Sequence, residues 1–528
     1  MKNRIKSLLE KKLNKNIVLE KPREKKFGHF ATPVAFSMAK ELRKSPIIIA
    51  DDLAKEFSGF PEFSKVEAVK GYLNFHLSEQ FLNSYADESI VLGDKFGGGE
   101  KSEKILLEFV SANPTGPLHI GHSRGAIYGD TLLKLGRHLG YKIDAEYYVN
   151  DAGNQIKLLG LSLYYAGVVN ILKKEMTEPE EYYRGEYIID LAKDASEEFG
   201  SSIFSEENLA KLSTWGKEKM MAEVKSNLKD AGIEFDLFVS EKSLYPKWEK
   251  SLKELESRNG VFEDESKKLW LKSTEHGDEK DRVIVRDNGV PTYLAGDIIY
   301  HQNKFERDYD KYINIWGADH HGYITRVKSA IEFLGYDSKK LEVILTQMVS
   351  LLKDGKPYKM SKRAGNFILM RDVIDEVGSD ALRFIFASKT PDTSLEFDVS
   401  DLIKQDSSNP VFYVNYAHAR VQSLVSKSNF SRDEILKSDI ENLDLNKKEL
   451  LFLALQLPEI IEDAFDSRQT QKLTDYLKSL ASSFHSFYNI SLIIGEKDEK
   501  SLLKLSLVVA NSIRVGLLIM GIQAKDRM

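Results

Sequence analysis

The sequence contains no cysteine, and this absence excludes disulfide bridges and thiolate metal sites. It also lacks an uninterrupted run of about 18 apolar residues, the length that a membrane-spanning helix needs. The first residues have no signal-peptide core. We therefore expect a soluble, cytoplasmic protein without a membrane partner, in which any metal would use oxygen or imidazole ligands.

An excess of basic charge is absent as well. Lys and Arg number 75 and Asp and Glu number 81, so the net charge is −6. A nucleic-acid partner would therefore have to be bound by local basic surfaces rather than by the bulk charge. The 528 residues, of which 42% are hydrophobic, are sufficient for about three domains with large cores.

The most informative segment, residues 112–122, reads Ala-Asn-Pro-Thr-Gly-Pro-Leu-His-Ile-Gly-His. It follows an apolar run at 105–110 that predicts a buried parallel strand, and a helical pattern covers 123–139. His119 and His122 are thus predicted at a strand-to-helix junction, where free N–H groups and the helix dipole favour phosphate binding. The alternative is that His119 is a hydrogen-bonded core histidine.

A second segment, Lys359-Met360-Ser361-Lys362-Arg363, predicts a basic loop after the apolar run 343–352. Its three cations suit a polyphosphate, and a solvated surface loop is the alternative. The two segments together resemble the two signature motifs of class I aminoacyl-tRNA synthetases. The first matches in all four letters, His-Ile-Gly-His, and the second matches in four of five, with Arg363 in place of serine.

The rest of the chain predicts an α/β protein with three parts. Helical patterns at 2–13 and 31–42 and an alternating stretch at 66–77 indicate an N-terminal α+β domain, 1–98. Alternating strands and helices indicate a Rossmann-like parallel-sheet domain, 99–396, with a helical insertion at about 161–261 and an Asn-Gly hairpin at 282–290. An all-α bundle is predicted at 397–528. Residues 98–102 do not form a P-loop, because Glu100 stands where the motif needs glycine.

Longer stretches narrow the resemblance within class I to the arginyl-tRNA synthetases. They are residues 108–117, 147–156, 316–323 and 409–420, supported by 28–32, 71–75 and 520–522. The resemblance covers essentially the whole chain. It implies an enzyme that attaches arginine to tRNA(Arg) in two steps through an arginyl-adenylate, using ATP with Mg²⁺ and no tightly bound cofactor. It also implies an N-terminal domain that contacts the tRNA elbow and a helical domain that binds the anticodon. We expect the protein to be a monomer.

The resemblance also assigns residues. Catalysis would use His119, His122, Lys359 and Lys362. ATP would be bound by Pro114, Thr115, Gly116, Gly121, Gly317, Asp319, His320, Met360 and Ser361. Arginine would be bound by Glu108, Ser111, Asn113, His122, Tyr293 and Asp297. Unpaired tRNA bases would be bound by Tyr413, Tyr416, His418 and Arg420, which combine stacking faces with cationic groups.

Several of these features have an alternative interpretation. Asp297 would serve as a helix N-cap, and Glu108 as a strand residue that faces solvent. His320 and His321 would ligate a metal, although neighbouring side chains on a strand point to opposite faces. The helical tail would be an oligomerisation domain. Two other functions stay open at this stage: a small-molecule nucleotidyltransferase, and an RNA-binding relative without catalysis.

Overall fold

The computed structural model describes residues 1–22, 24–358, 367–441 and 443–528. The chain divides into two compact units. Unit 1 contains Met1–Gly98, Val411–Ser467 and Lys472–Met528, and unit 2 contains Gly99–Pro410 and Arg468–Gln471. The predicted N-terminal domain and the predicted helical tail thus belong largely to one unit, and the division into three domains stays a prediction.

Unit 2 is built on a five-stranded parallel sheet, as the alternation of strands and helices predicted. Its strands are β4 (Lys104–Glu108), β5 (Lys142–Val149), β6 (Leu237–Ser240), β10 (Lys311–Gly317) and β11 (Leu341–Thr346). They lie in the order β11-β10-β4-β5-β6, and every neighbouring pair is parallel. Because the strands run in one direction, all their carboxyl ends meet at one edge of the sheet, which is where ligands bind in such folds.

Helices connect these strands and continue to the end of unit 2. They are α5 (Ile120–His138), α6 (Asn154–Ala166), α7 (Glu186–Phe199), α8 (Leu209–Asp230), α9 (Glu241–Leu244), α10 (Trp248–Ser257), α11 (Tyr293–Phe305), α12 (Ile324–Phe333), α13 (Met370–Val377), α14 (Ser379–Ala387) and α15 (Val399–Ile403). The first signature segment lies between β4 and α5. The helix begins three residues earlier than its sequence pattern indicated, at Ile120.

Two small sheets complete unit 2. One is antiparallel and contains β7 (Val261–Glu263), β8 (Leu269–Leu271) and β9 (Arg282–Val285). The other joins β12 (Val349–Lys353) to β13 (Lys356–Pro357) and β14 (Leu395–Asp398). The predicted Asn-Gly turn is present after β9, where the Arg286 N–H donates to the Val290 carbonyl at 3.0 Å.

The stretch predicted as a helical insertion, 161–261, is not helical throughout. Helices α7 and α8 pack with α6 around a core that includes Leu163, Leu212 and Trp215. However, β6 lies within the same range and extends the central sheet beside β5. This part of the prediction was wrong because a four-residue strand is too short to show its period among long helical patterns.

The N-terminal part of unit 1 is an α+β arrangement, as predicted. Its elements are α1 (Lys2–Leu13), β1 (Phe30–Thr32), α2 (Val34–Leu42), α3 (Pro46–Phe57), β2 (Phe63–Val69), β3 (Tyr72–Leu77) and α4 (Glu79–Leu92). The predicted helix 31–42 begins only at Val34, because residues 30–32 pair with β3. The stretch 66–77 contains the hairpin of β2 and β3, which turns at Lys70 and Gly71, both with positive φ.

The C-terminal part of unit 1 is helical, as predicted. Its helices are α16 (Pro410–Lys427), α17 (Arg432–Lys437), α18 (Leu445–Ala454), α19 (Leu457–Asp466), α20 (Gln471–Ile490) and α21 (Glu499–Ile519). One predicted helix, 447–465, is two helices, with Pro458 in the first turn of the second. Among the described helices, α21 alone is long and apolar enough to cross a membrane, and 89% of its most apolar window is buried within the structure.

Candidate active site

The chain makes a strained turn where β4 ends at the carboxyl edge of the sheet. Val110 and Ser111 both have left-handed φ angles, 69° and 44°, although Val110 is β-branched and disfavours this region. The turn brings the Ser111 hydroxyl within 2.9 Å of the Glu108 carboxylate, to which it donates. The backbone N–H of Tyr148 donates to the same hydroxyl at 3.1 Å. The two hydrogen bonds thus hold Ser111, a predicted arginine-binding residue, in this strained turn.

The two signature histidines form the N-terminal cap of α5. The Gly121 N–H donates to Nδ1 of His119 at 3.2 Å, and the His119 N–H donates to Nδ1 of His122 at 3.4 Å. The two rings stack with centroids 3.6 Å apart. A Cβ on Gly121 would lie 3.0 Å from the His119 ring, so only glycine fits without displacing it. Both imidazoles are therefore held beside the positive end of the helix dipole.

The cap also fixes the protonation of both rings. Burial lowers the pKa of His119, and burial together with His119 lowers the pKa of His122 to about 3, so both are neutral at physiological pH. Since Nδ1 accepts a hydrogen bond in each ring, the proton of each ring resides on Nε2. Each histidine therefore offers an N–H donor that can bind a phosphate oxygen.

A cavity of about 600 Å³ lies beside the two histidines. The first signature segment contributes Asn113, Thr115, Gly116, Pro117, His119 and His122 to its lining. Phe367 also lines it and stacks on the His119 ring at 5.2 Å. The chain next to Phe367 is tied to the cap, because the Ile120 N–H donates to the Ile368 carbonyl at 2.9 Å.

The basic loop leads directly into this Phe367 segment. Its predicted site residues, Lys359, Met360, Ser361 and Lys362, lie outside the described residues. Their role stays a prediction.

Glu108 belongs to a buried network that joins β4, α11 and β10. It is 4% exposed, so the interpretation as a solvent-facing residue was wrong. Nζ of the fully buried Lys304 lies 2.5 Å from Oε2 of Glu108 and 2.7 Å from Oδ1 of Asn314. The amide of Asn314 contacts Nε2 of His301 at 3.1 Å, and Nδ1 of His301 contacts the Asp297 carbonyl at 2.8 Å.

The tautomer of His301 follows from this network. Burial lowers the pKa of His301 to about 3, so the ring is neutral. The Asp297 carbonyl can only accept, so Nδ1 of His301 carries the proton and Nε2 accepts from Asn314. Each hydrogen bond of this network, from the Ser111 hydroxyl to the Asp297 carbonyl in α11, therefore joins a donor to an acceptor. It fixes the helix that carries two predicted arginine-binding residues, Tyr293 and Asp297.

Asp297 lies in the second turn of α11, so the N-cap interpretation was wrong. Burial, together with the negative charges of Glu241 and Glu108, raises the pKa of Asp297 to about 7. Burial also raises the pKa of Glu241, which is 5% exposed. The Tyr245 hydroxyl donates to Glu241 at 3.0 Å.

The close approach of Glu241 to α11 depends on a glycine. A Cβ on Gly296 would lie 2.7 Å from Oε1 of Glu241. The two acidic side chains, Glu241 and Asp297, repel each other in their ionised forms. A cation that bound between them would relieve this repulsion.

Glu241 is a candidate site residue that the sequence analysis missed. It follows β6 directly, so it lies at the same edge of the sheet as Glu108. The signal was available in principle, since a carboxylate after a short apolar strand is typical of such sites. It was hidden because the strand was assigned to a helical insertion.

The remaining predicted nucleotide residues follow β10 at the same edge of the sheet. Gly317 ends the strand, and a Cβ on it would lie 2.4 Å from Oδ1 of Asp319. Asp319 and His320 are exposed, with side chains 82% and 53% accessible and 3.5 Å apart. These residues lie in a 3₁₀ helix, Ala318–Tyr323, and not on a strand as the argument about His320 and His321 assumed. Within the described part of the chain, no group of three potential metal ligands occurs.

In unit 1 the predicted tRNA-binding residues of α16 differ in exposure. Tyr416 is 36% exposed, and the Arg420 guanidinium lies 4.3 Å from its ring centroid. The Tyr413 ring lies 4.6 Å from His485. His418, by contrast, is 1% exposed, with Nδ1 3.1 Å from the Lys525 carbonyl. The prediction that His418 stacks on a base was wrong, because its ring is on the inner face of the helix.

Three family profiles match the chain. They are the arginyl tRNA synthetase N terminal domain at residues 1–77, the catalytic domain of class I tRNA synthetases (R) at 89–425, and the DALR anticodon binding domain at 414–528. The profiles together extend over nearly the whole sequence.

Similar proteins agree with these profiles. The chain is 61% identical to an arginine–tRNA ligase of Nitratiruptor sp. and 58% identical to one of Wolinella succinogenes, over 100% of both chains in each comparison. The structure of Thermus thermophilus arginyl-tRNA synthetase superposes with a TM-score of 0.77 at 20% identity and covers 100% of both chains. At that identity, the superposition shows a common fold.

Proposed function

The chain belongs to the arginyl-tRNA synthetase family and attaches arginine to tRNA(Arg) through an arginyl-adenylate, and on this premise we propose which of its residues carry the reaction. The observation that carries the proposal is the carboxyl edge of the sheet. A helix cap with two neutral histidines lies there, and so do two acidic side chains, the buried Glu241 and the partly buried Asp297. The first suits a triphosphate and the second suits a guanidinium cation.

We propose that ATP binds in the cavity beside the cap, with its α-phosphate against His119 and His122. Their Nε2–H groups would donate to oxygens that gain charge as the arginine carboxylate attacks, which is stabilisation by preorganised donors. Pro114, Thr115, Gly116 and Gly121 would shape the cavity. Gly317, Asp319 and His320 would contact the adenosine. Lys359, Met360, Ser361 and Lys362 would hold the leaving pyrophosphate.

Mg²⁺ is proposed to enter on the phosphates of ATP. The described lining of the cavity contains no Asp or Glu, and Mg²⁺ prefers carboxylate and phosphate oxygens. The protein therefore offers no carboxylate set for the ion in this part of the cavity. The phosphates themselves would supply its ligands, together with water, and no tightly bound cofactor is needed.

Arginine is proposed to bind between the ATP cavity and α11. Asp297 would accept a bidentate pair of hydrogen bonds from the guanidinium, with Glu241 as a second negative charge. Tyr293, which is 58% exposed, would cover the side chain of arginine. Ser111, Asn113 and His122 would contact its amino and carboxyl groups. Glu108 already accepts from Ser111 and Lys304, so we propose that it acts mainly by fixing Ser111.

Asp297→Asn tests this site, because it keeps the shape of the side chain and removes its charge. We expect kcat/KM for arginine to fall by at least about 30-fold, which corresponds to about 2 kcal/mol. The KM for ATP should change by less than about twofold. Asp287→Asn, in the exposed turn after β9, is the matched control and should behave as wild type. Unchanged arginine kinetics in Asp297→Asn would show that another residue binds the guanidinium, and Glu241 would be tested next.

The pH dependence gives a second readout of the same site. With a pKa of about 7, Asp297 is protonated below neutral pH and must lose its proton to bind the guanidinium. In wild type, kcat/KM for arginine should therefore rise about tenfold per unit of pH below 7 and level off above it. His122 stays neutral throughout this range. The slope should disappear in Asp297→Asn, and a slope that persists there would assign the titration to another group.

In the second step, we propose that the adenylate passes arginine to the 2′-hydroxyl of the terminal adenosine of tRNA. Tyr413, Tyr416 and Arg420 would contact unpaired bases, since Tyr416 is exposed and already stacks with a guanidinium. The N-terminal part of unit 1 would contact the tRNA elbow. We also propose that the protein is a cytoplasmic monomer.

A further inference from the structure

The cavity beside His119 and His122 has a second wall, which comes from the segment between α6 and α7 and from the first turn of α7. Tyr182, Arg184 and Tyr187 contribute to it. None of these residues belongs to a signature motif. The segment therefore adds side chains to the proposed ATP site from an insertion that the sequence analysis treated only as a helical stretch.

This segment is anchored on both sides of Arg184. The Tyr183 N–H donates at 2.8 Å to the hydroxyl of Ser162, which is fully buried in α6. The Tyr187 hydroxyl donates at 3.2 Å to the Thr115 carbonyl, within the first signature segment. Between the two anchors, Gly185 has a φ of 136°, a conformation that strains any other residue. Arg184 is thus attached to a defined backbone position beside the histidine cap.

The interaction that Arg184 makes in the free protein is weak. Its guanidinium lies 2.9 Å from Oε1 of Glu178, and the two side chains are 67% and 54% exposed. It also lies 4.7 Å from the ring centroid of Tyr182. An exposed ion pair contributes little, because water and salt screen it. A ligand with several negative charges would compete successfully with the single carboxylate of Glu178.

Arg184 would add a cation to the side of the cavity that faces the histidine cap, beside the proposed contribution of Lys359 and Lys362. Of the described residues that line the cavity, Arg184 is the one Lys or Arg side chain, and both histidines are neutral. The guanidinium fork matches the geometry of phosphate oxygens and is only weakly hydrated. MgATP would bring a net charge of about −2 to this cavity, and Arg184 would share in compensating it with the proposed Lys359 and Lys362.

We propose that Arg184 binds the β- and γ-phosphates of ATP. To do so, it breaks its ion pair with Glu178. The proposal rests on the placement of ATP beside His119 and His122. It gives opposite roles to the two members of one ion pair: Arg184 favours ATP binding, whereas Glu178 competes with ATP. A pair that served only to hold the segment in place would give both residues the same role.

The test is direct binding of MgATP to the full-length protein by calorimetry, without arginine or tRNA. Arg184→Gln should raise the Kd for ATP about tenfold, and Glu178→Gln should lower it about threefold. Glu178→Gln should have no effect in the Arg184→Gln background. The Kd for AMP, which lacks both outer phosphates, should change by less than twofold in Arg184→Gln. Lys193→Gln, at an exposed position of α7 outside the cavity, controls for the loss of one positive charge.

Three results would overturn the proposal. They are an unchanged Kd for ATP in Arg184→Gln, a weaker affinity for ATP in both single variants, and an equal loss of affinity for ATP and AMP. If Arg184→Gln changed only the KM for tRNA, the Kd for ATP would be unchanged, and this result would also count against the proposal. Arginylation by the wild-type protein is measured in parallel. Arginylation by the wild-type protein does not depend on the role of Arg184. If the Arg184 proposal fails, the proposed function therefore still stands.

Discussion

Replacing Lys304 by methionine is expected to destabilise the protein by about 3–5 kcal/mol. Lys304 is fully buried and is the cation that compensates Glu108, with Asn314 as its second partner. Removing one member of a buried pair leaves the other charge without compensation in a site where water cannot solvate it. The free energy of unfolding, measured in urea, checks this expectation, and the slope of unfolding against urea should stay unchanged.

Two variants make the Lys304 result specific. Arg258→Met removes the cation of an exposed pair with Glu254 and should change stability by less than about 0.5 kcal/mol. Lys304→Met combined with Glu108→Gln should recover part of the loss, because neither substituted position then carries an uncompensated buried charge. If Lys304→Met cost less than about 1 kcal/mol, Glu108 would be solvated or protonated, and the network would not fix the arginine site.

Replacing His119 by alanine is expected to lower kcat for arginine activation by about 100-fold. One donor to the charge that develops on the α-phosphate is lost, and such a contact is worth about 3 kcal/mol. The substitution also removes the N-cap of α5, which costs about 1 kcal/mol of stability. Activation is measured as ATP–pyrophosphate exchange with tRNA present, and stability is measured separately.

His119→Ser separates capping from catalysis. Serine is a favoured N-cap residue, so the stability of α5 should return to near that of wild type. Its hydroxyl is too short to reach the phosphate from the same backbone position, so kcat should stay about 100-fold low. Near-normal turnover in His119→Ser would mean that the histidine acts only as a cap, and the catalytic role would then be left to His122.

The junction of β4 and α5 could be predicted because several local signals agree there. An apolar run marks the strand, proline and glycine interrupt it, and a helical period follows the two histidines. The cap that the imidazoles form was not predictable, since His is not a usual N-cap residue. It depends on the stacking of His119 on His122, which only the folded chain defines.

Lys304 and Glu241 show what the sequence could not supply. Lysine is almost never fully buried, so a pattern-based interpretation assigns Lys304 to the solvent-facing side of its helix. Its burial follows from the tertiary position of Glu108, 196 residues earlier in the chain. Glu241 becomes a candidate site residue only once β6 is recognised as an edge strand of the sheet. The prediction for His418 was wrong for a related reason. The residue type shows that the ring can stack on a base, but it does not show on which face of the helix the ring lies.

We propose that this sheet edge activates arginine and no other amino acid. The most direct test is ATP–pyrophosphate exchange by the full-length protein with each of the twenty amino acids, with and without tRNA. We predict that arginine is the one amino acid that supports exchange, and that it does so only when intact tRNA is present. The reason is that part of the tRNA binding energy is expected to order the active site. Comparable exchange with another amino acid, or no exchange with arginine in the presence of tRNA, would contradict the account.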